Sequence, residues 1–372
     1  MKRTQRGAAL LAAMLTVTLV ATFAAAALWQ QWRATEVEAA ERARLQSGLI
    51  LVGALDWSRL ILREDARASG STGGADHLAE PWAVPLAEAK LSSFLAADKN
   101  ISSDSLEGLP EAFLSGRIID AQSKLNVRNL VDGGKPVASA VAAFNKLFQL
   151  LGLPASEVAA LTANLQRALP ATASATPSGA TGTTTPTAAA TGTGNTATTT
   201  TTPATSDATT ATTATTTTTP TTTDSSSTGP LMPQHTAQLV WLGLSPSTAA
   251  AIEPYVTVLP VPTRLNINTA SAEAIFASVP KLDLASAKRL VERRSRAYFR
   301  SIADANLLVQ ESTAQFNDAQ HSVATGFFEV HARLRLDNAW VEEQTLLRRN
   351  GLDVTIVWRE RGAGATVAAP KS

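Results

Sequence analysis

From Ala8 to Trp29 no residue carries a charge. About 20 apolar residues in a helix cross the hydrocarbon core of a bilayer. This stretch therefore commits the chain to one membrane-crossing helix at its amino end, with the rest outside the bilayer. Thr16, Thr18 and Thr22 are compatible with the span, because a Thr hydroxyl can bond the carbonyl one turn back. Trp29 and Trp32 suit the far interface, and Lys2, Arg3 and Arg6 just before the span leave the amino terminus in the cytoplasm. A cleaved secretory signal is the alternative, since Ala24, Ala25, Ala26 and Ala27 offer small residues to signal peptidase. Against it, the span is longer than an ordinary signal's apolar core. The helical pattern also runs on, with no Gly between Gly7 and Gly48 and no Pro before Pro81.

Beyond the membrane, Val37, Leu45, Leu49, Val52, Leu55 and Leu62 recur at helical spacing, while Glu36, Glu38, Glu41, Arg42 and Arg44 occupy other faces. The expectation is one helix from about Ala8 to Arg63, with this row turned toward an antiparallel sheet of the same chain.

The body reads as short elements. Arg117 to Val127 is a strand, a polar turn and a second short strand. Ala138 to Leu151 is a helix stopped by Gly152, with Pro154 just beyond. Ser156 to Leu169, Gln238 to Leu244, Pro246 to Tyr255 and Ala270 to Val279 are weaker helices. Leu284 to Arg294 is a stronger one with Asp283 as N-cap. Between these, Ala171 to Gly229 contains no Leu, Ile, Val, Phe, Tyr or Trp. Such a tract cannot offset its ordering entropy by burial and reads as a disordered insertion. At the carboxyl end, Phe328, Val330, Ala332, Leu334 and Leu336 alternate with polar residues as in a half-buried strand. Asp337-Asn338 turns it into a second strand from Trp340 to Leu347. Asn350-Gly351 is a hairpin signal leading to a third strand through Val354, Ile356 and Trp358.

Several function classes find no support. The chain has no Cys, which removes disulfides and thiol chemistry. Its net charge of +1 gives no bulk drive toward nucleic acid. His77, His235, His321 and His331 are scattered, and no GxSxG, HExxH or paired-carboxylate pattern organises them, so an enzyme is not expected. His331 reads as a solvated imidazole on the outer face of its strand.

Several segments together resemble one family. Arg6-Gly7-Ala8-Ala9-Leu10-Leu11 looks like a prepilin-peptidase site. Ile118-Ile119-Asp120-Ala121-Gln122 through Leu125-Asn126-Val127-Arg128-Asn129-Leu130, and Leu259-Pro260 through Asn266-Ile267-Asn268-Thr269-Ala270, resemble stretches of the minor pseudopilin K family of type II secretion. Gly53 to Leu60 and Glu80-Pro81-Trp82-Ala83 match as well. The resemblance implies an α+β fold, a pilin-like long amino-terminal helix packed on an antiparallel sheet with an inserted, mostly helical domain. It divides the chain into a basic leader (1–7), a membrane helix (8–32), its periplasmic continuation (33–65) and a first β region (66–135). An inserted helical domain (136–314) follows and holds the 171–229 insertion. Terminal strands (315–361) and a tail (362–372) complete the chain.

The resemblance further implies a subunit at the pseudopilus tip, anchored in the inner membrane with its head in the periplasm. Its partners would be the minor pseudopilins I and J and other pseudopilus subunits. A prepilin peptidase would cut between Gly7 and Ala8 and methylate the new terminus. The fifth mature residue is then Ala12, where most pilins have Glu and this family lacks it. The family also implies calcium held by acidic loops of the helical domain. That acidic pattern is not recognisable here, Asp56, Asp65 and Asp132 read as surface residues, and no metal ligand is assigned. The rival reading is a helix-hairpin-helix DNA-binding membrane protein of a competence-like system. It draws on Asn266 to Ala270 and the basic cluster Lys288, Arg289, Arg293, Arg294, Arg296 and Arg300. A phosphate-binding hairpin wants Gly, whereas this one is Val279-Pro280-Lys281-Leu282-Asp283. The cluster reads more simply as a solvated helix face, with no nucleic-acid partner.

Overall fold

A computed structural model describes residues 6–68, 74–91, 112–169, 229–309, 315–336 and 339–365. The expected disordered tract from Ala171 to Gly229, all but Gly229 itself, and the expected turn at Asp337-Asn338 lie outside the described residues.

Helix α1 runs from Arg6 to Ala68, 63 residues, or about 95 Å at 1.5 Å per residue. Up to Leu45 its described side chains are exposed. Thr16, Thr18, Thr22 and Thr35 each donate to the carbonyl three residues back, at 2.7–2.9 Å. Below that stretch the helix lies on a sheet, and the row it turns inward is Ser47, Leu51, Leu55, Ser58 and Leu62. The expected stripe is thus split. Leu55 and Leu62 are buried, but Val37, Leu45, Leu49 and Val52 are exposed. At about 100° per residue, the step of three from Val52 to Leu55 rotates backward and joins two distinct apolar rows.

The sheet has five antiparallel strands in the order β1-β2-β9-β10-β11. They are β1 Leu86–Lys90, β2 Ala112–Asp120, β9 Phe327–Leu336, β10 Ala339–Asn350 and β11 Asp353–Ala365. β2 pairs with β9 from Ala112↔Leu336 to Asp120↔Phe328, so everything between them in sequence is an insertion into one sheet. The alternation in β9 sends Phe328, Val330 and Leu334 into the core and leaves Arg333 out. β10 and β11 meet in a hairpin closed by the Asn350↔Asp353 pair, with Gly351 at φ +59. Two clusters fill the space under α1. One joins Leu55, Leu62, Trp82, Phe328 and Leu347, the other Leu51, Leu114, Ala332 and Leu334.

The insertion is mostly helical. It contains α2 Ala138–Leu151, α3 Ala155–Ala168, a 3-10 turn Thr236–Leu242, α4 Pro246–Ile252, α5 Ala272–Ser278, α6 Leu284–Arg296 and α7 Ile302–Asn306. Gly152 ends α2 in the left-handed region at φ +69, which suits Gly. Asp283 caps α6 by accepting from Ser286 N at 3.0 Å. Phe144, Leu147, Phe148, Leu161, Leu165, Leu239 and Ile275 belong to a single core. Two-residue strands frame its junction with the sheet. β3 Leu125–Asn126 pairs with β6 Val256–Thr257, β4 Val131–Asp132 with β5 Lys135–Pro136, and β7 Leu265–Asn266 with β8 His321–Ser322.

Candidate functional site

Two regions organise the chain, an exposed face of α1 and a polar junction behind the sheet. On α1, Leu45, Leu49, Val52 and Leu60 form the outward row, with Leu49 73% exposed. A Cβ built on Gly53, in the same stretch, would meet nothing within 4 Å. This apolar row stays exposed on the same helix that carries the uncharged run. Gly7 and Ala8 lie in the first turn of α1, and Ala12 is exposed one turn further on.

The junction is built from the motif residues. Asp120 ends β2 and is buried with both oxygens bonded. Oδ1 accepts from Gln122 N at 2.7 Å, and Oδ2 from Asn266 Nδ2 at 2.9 Å and Thr269 Oγ1 at 2.5 Å. Burial pushes its carboxyl up to about 6, with the hydrogen bonds from Thr269, Thr325, Asn266 and Gln122 pulling the other way. Gln122 donates to Arg264 O and accepts from Gly326 N. Asn126 donates to Val261 O and Thr263 Oγ1 and accepts from Leu259 N and Arg128 N. Asn268 exchanges two hydrogen bonds of 2.9 Å with the backbone of Phe299. These side chains replace backbone pairing where irregular segments cross, which is why the motifs are rich in Asn, Gln and Asp.

A charged cluster closes the other side. Arg349 of β10 donates through Nη1 to Asp65 Oδ2 at 2.7 Å and through Nη2 to Asp76 Oδ1. Its Nη2 also reaches Thr325 O at 3.1 Å. Glu80 Oε2 accepts from His77 N at 2.9 Å and Trp82 Nε1 at 2.7 Å, and burial pushes its carboxyl up to about 7. Asp65 is therefore not a surface residue, because its side chain is 7% exposed against Arg349. Asp56 stays exposed in a 3.0 Å pair with Arg59, and Asp132 is exposed. His331 is not a solvated imidazole either. Its side chain is 15% exposed and its Nε2 lies 3.0 Å from Glu329 Oε1, two residues along the same strand face.

The basic cluster divides. Lys288, Arg289, Arg293, Arg296 and Arg300 are exposed, but Arg294 turns inward and donates to Ile267 O. Burial pulls Arg294 down to about 10, opposed by the charge of Asp120. The turn between α5 and α6 is held from below. Lys146 Nζ donates to the carbonyls of Phe276, Val279 and Leu282 at 2.7, 2.7 and 2.8 Å and lies 3.9 Å from the Phe276 ring centre.

Sequence reasoning quoted Asp120, Asn126, Asn266 and Thr269 within motifs but did not find Arg349, Asp76 or Lys146. Nothing local marks them. Arg349 is one of two adjacent arginines on a strand, and Lys146 is one cation on an amphipathic helix.

The geometry has counterparts in known proteins. Two family models described as type II secretion system (T2SS), protein K match residues 123–261 and 265–324. Type II secretion system protein K of Pseudomonas aeruginosa is 25% identical over 367 residues, covering 98% of this chain and 95% of its own. The GspK-GspI-GspJ complex from enterotoxigenic Escherichia coli contains a chain similar in fold, with a TM-score of 0.53 at 14% identity over 87% of this chain and 98% of that one. Together the two family models span more than half of the sequence, and the chain belongs to the protein K family of the type II secretion system.

Proposed function

We propose that this protein is a minor pseudopilin that caps the pseudopilus tip and supports export across the outer membrane. The observation that carries the reading is the outward row Leu45, Leu49, Val52 and Leu60, left bare on the helix that continues from the membrane span. The GspK-GspI-GspJ complex supports partners resembling GspI and GspJ for that row. Lys2, Arg3 and Arg6 favour a cytoplasmic amino terminus and a periplasmic head.

Tip placement has two supports. The helical domain inserted between β2 and β9 gives the head a bulk that a repeating shaft subunit could not stack. Ala12 also offers no carboxylate, a group that is costly in a bilayer unless paired with a neighbour's charge. Processing follows the same reading, with a prepilin peptidase cutting between Gly7 and Ala8 and methylating Ala8. The protein then acts by assembly, with no chemistry of its own.

Two measurements test this. The mature amino-terminal peptide is expected to begin at methylated Ala8, and a terminus near Ala27 would overturn the pilin reading. In size-exclusion chromatography with light scattering, the head from Arg33 onward is expected to be monomeric alone. Mixed with the I and J pseudopilins of the same system, it is expected to form one discrete complex. Long homopolymers, or no association with either, would reject tip placement.

A further inference from the structure

A sheet edge exposes a row of main-chain donors and acceptors, and proteins ordinarily blunt it. The two edges of this sheet differ. β1 is blunted, with 5 residues and a register against β2 that shifts between Leu86 and Ala89. β11 has 13 residues and no Pro, and it pairs with β10 from Ala339↔Ala365 to Asn350↔Asp353. Among the described residues no strand lies on its other side.

The groups that point outward follow from the register. Asn350 and Asp353 flank a two-residue turn, so their main chains bond to each other and the next residues alternate. Val354 and Ile356 therefore turn their main chains away from β10. The Val354 carbonyl agrees, since it accepts from the Arg59 side chain, Nε at 3.0 Å. Past the register shift at Leu346/Leu347, Trp358 stands opposite Leu346, and Arg359 and Arg361 are the next outward positions.

This edge is continuous with the exposed face of α1. Arg59 reaches it from α1, and a Cβ built on Gly48 would lie 3.3 Å from Arg361 Nη1. At about 100° per residue, Gly48, Arg59, Val52, Leu45 and Leu49 follow one another round the helix. The outward row thus begins where the β11 edge ends.

Charge narrows the occupant. Arg359 and Arg361 share one carboxylate oxygen, Glu343 Oε2, at 2.6 and 2.8 Å, and their side chains stay 30% and 40% exposed. Two guanidiniums on one carboxylate leave a positive charge beside the edge. A second copy of β11 would bring the same arginines to a shared face, whereas Asp or Glu on an added strand would neutralise them. Ile356, two residues on from the buried Val354, is exposed and offers that strand an apolar neighbour.

We propose that β11 receives an added strand: an extended, acidic segment of a neighbouring pseudopilin pairs with residues 354–361 while the helix of that neighbour covers Leu45, Leu49 and Val52. This rests on the tip-assembly reading above and adds main-chain pairing to it. Main-chain hydrogen bonds supply affinity in such strand addition, and side chains at alternate positions supply specificity.

The test uses the full-length protein in detergent micelles, alone and mixed with the I and J pseudopilins of the same system. Amide hydrogen exchange is followed over residues 353–362. The fast-exchanging amides of this segment are expected to slow by about tenfold or more in the complex. Ile356→Pro removes one outward N–H, and an edge strand tolerates Pro. It is expected to keep a cooperative urea transition and to weaken binding by about tenfold or more. A complex that forms with exchange over 353–362 unchanged would overturn strand addition and leave tip assembly standing. So would a folded Ile356→Pro protein with wild-type affinity. If Ile356→Pro fails to fold, exchange in the wild-type complex decides alone. No complex with either partner would reject both readings.

Discussion

Asn266 donates to Asp120 Oδ2 at 2.9 Å across 146 residues of chain, and the same amide reaches Asp76 O at 3.1 Å. One side chain thus ties the end of β2, the segment before Trp82 and the start of the second half of the helical domain. Asn266→Ala would take one side-chain donor from the buried Asp120, leaving those of Thr269 and Thr325, and would remove the amide that reaches the Asp76 carbonyl. The expected cost is about 2–4 kcal/mol, read as a lower urea midpoint with sheet and helical domain weakened together. An unchanged midpoint would show that the junction is not structural.

The two rows on α1 predict opposite phenotypes. Leu49 is exposed, so Leu49→Glu is expected to change the stability of the isolated protein by about 0.5 kcal/mol or less. If the outward row is the docking face, the same change weakens binding to the I and J pseudopilins by tenfold or more. Leu51 is fully buried, and Leu51→Ala is expected to cost about 3 kcal/mol. Calorimetric titration beside urea unfolding separates the two, and wild-type affinity in Leu49→Glu would remove the face from the interface.

Gly229 packs directly on the Arg167 carbonyl, so the chain re-enters the fold beside the point where α3 ends. Replacing residues 171–228 with a short Gly/Ser linker therefore closes a gap that is already small. The thermal midpoint is expected to stay within about 2 °C, since loop length contributes weakly to stability. A large drop would mean that the Thr-rich tract contributes packing.

Burial holds Asp120 near 6 and Glu80 near 7, both above the ordinary carboxyl range. A raised carboxyl binds its proton more tightly folded than unfolded. Its contribution is therefore complete below about pH 4 and is lost as pH rises through 6 to 7. The urea midpoint is expected to be lower at pH 8 than at pH 5, and Glu80→Gln is expected to flatten the upper part of that decline. A midpoint that rises from pH 5 to pH 8 would contradict the assignment.

Much of this fold is local, and local features were readable. The uncharged run to Trp29, the alternation from Phe328 to Leu336, the Gly152 stop of α2 and the Asp283 cap of α6 depend on periodicity and on residues within one turn of each other. The strand, the stop and the cap stand within a residue of those positions, and the uncharged run lies inside α1. The quoted motifs also pointed to the junction, because Asn, Asp and Gln in otherwise apolar stretches must find partners when buried.

Packing settled the remainder. Period alone shows that the second half of α1 has apolar rows, but the choice of Leu51, Leu55 and Leu62 over Leu45 and Leu49 is made by where β9 and β10 lie. β9 pairs with β2 across the whole helical domain that separates them in sequence. Asp65, Asp76, Glu80 and Arg349 come from three separate elements, and their charges compensate only once the strand hairpin folds back over the end of α1. No short window of residues contains such a cluster, because its energy exists only at distances that the finished sheet creates.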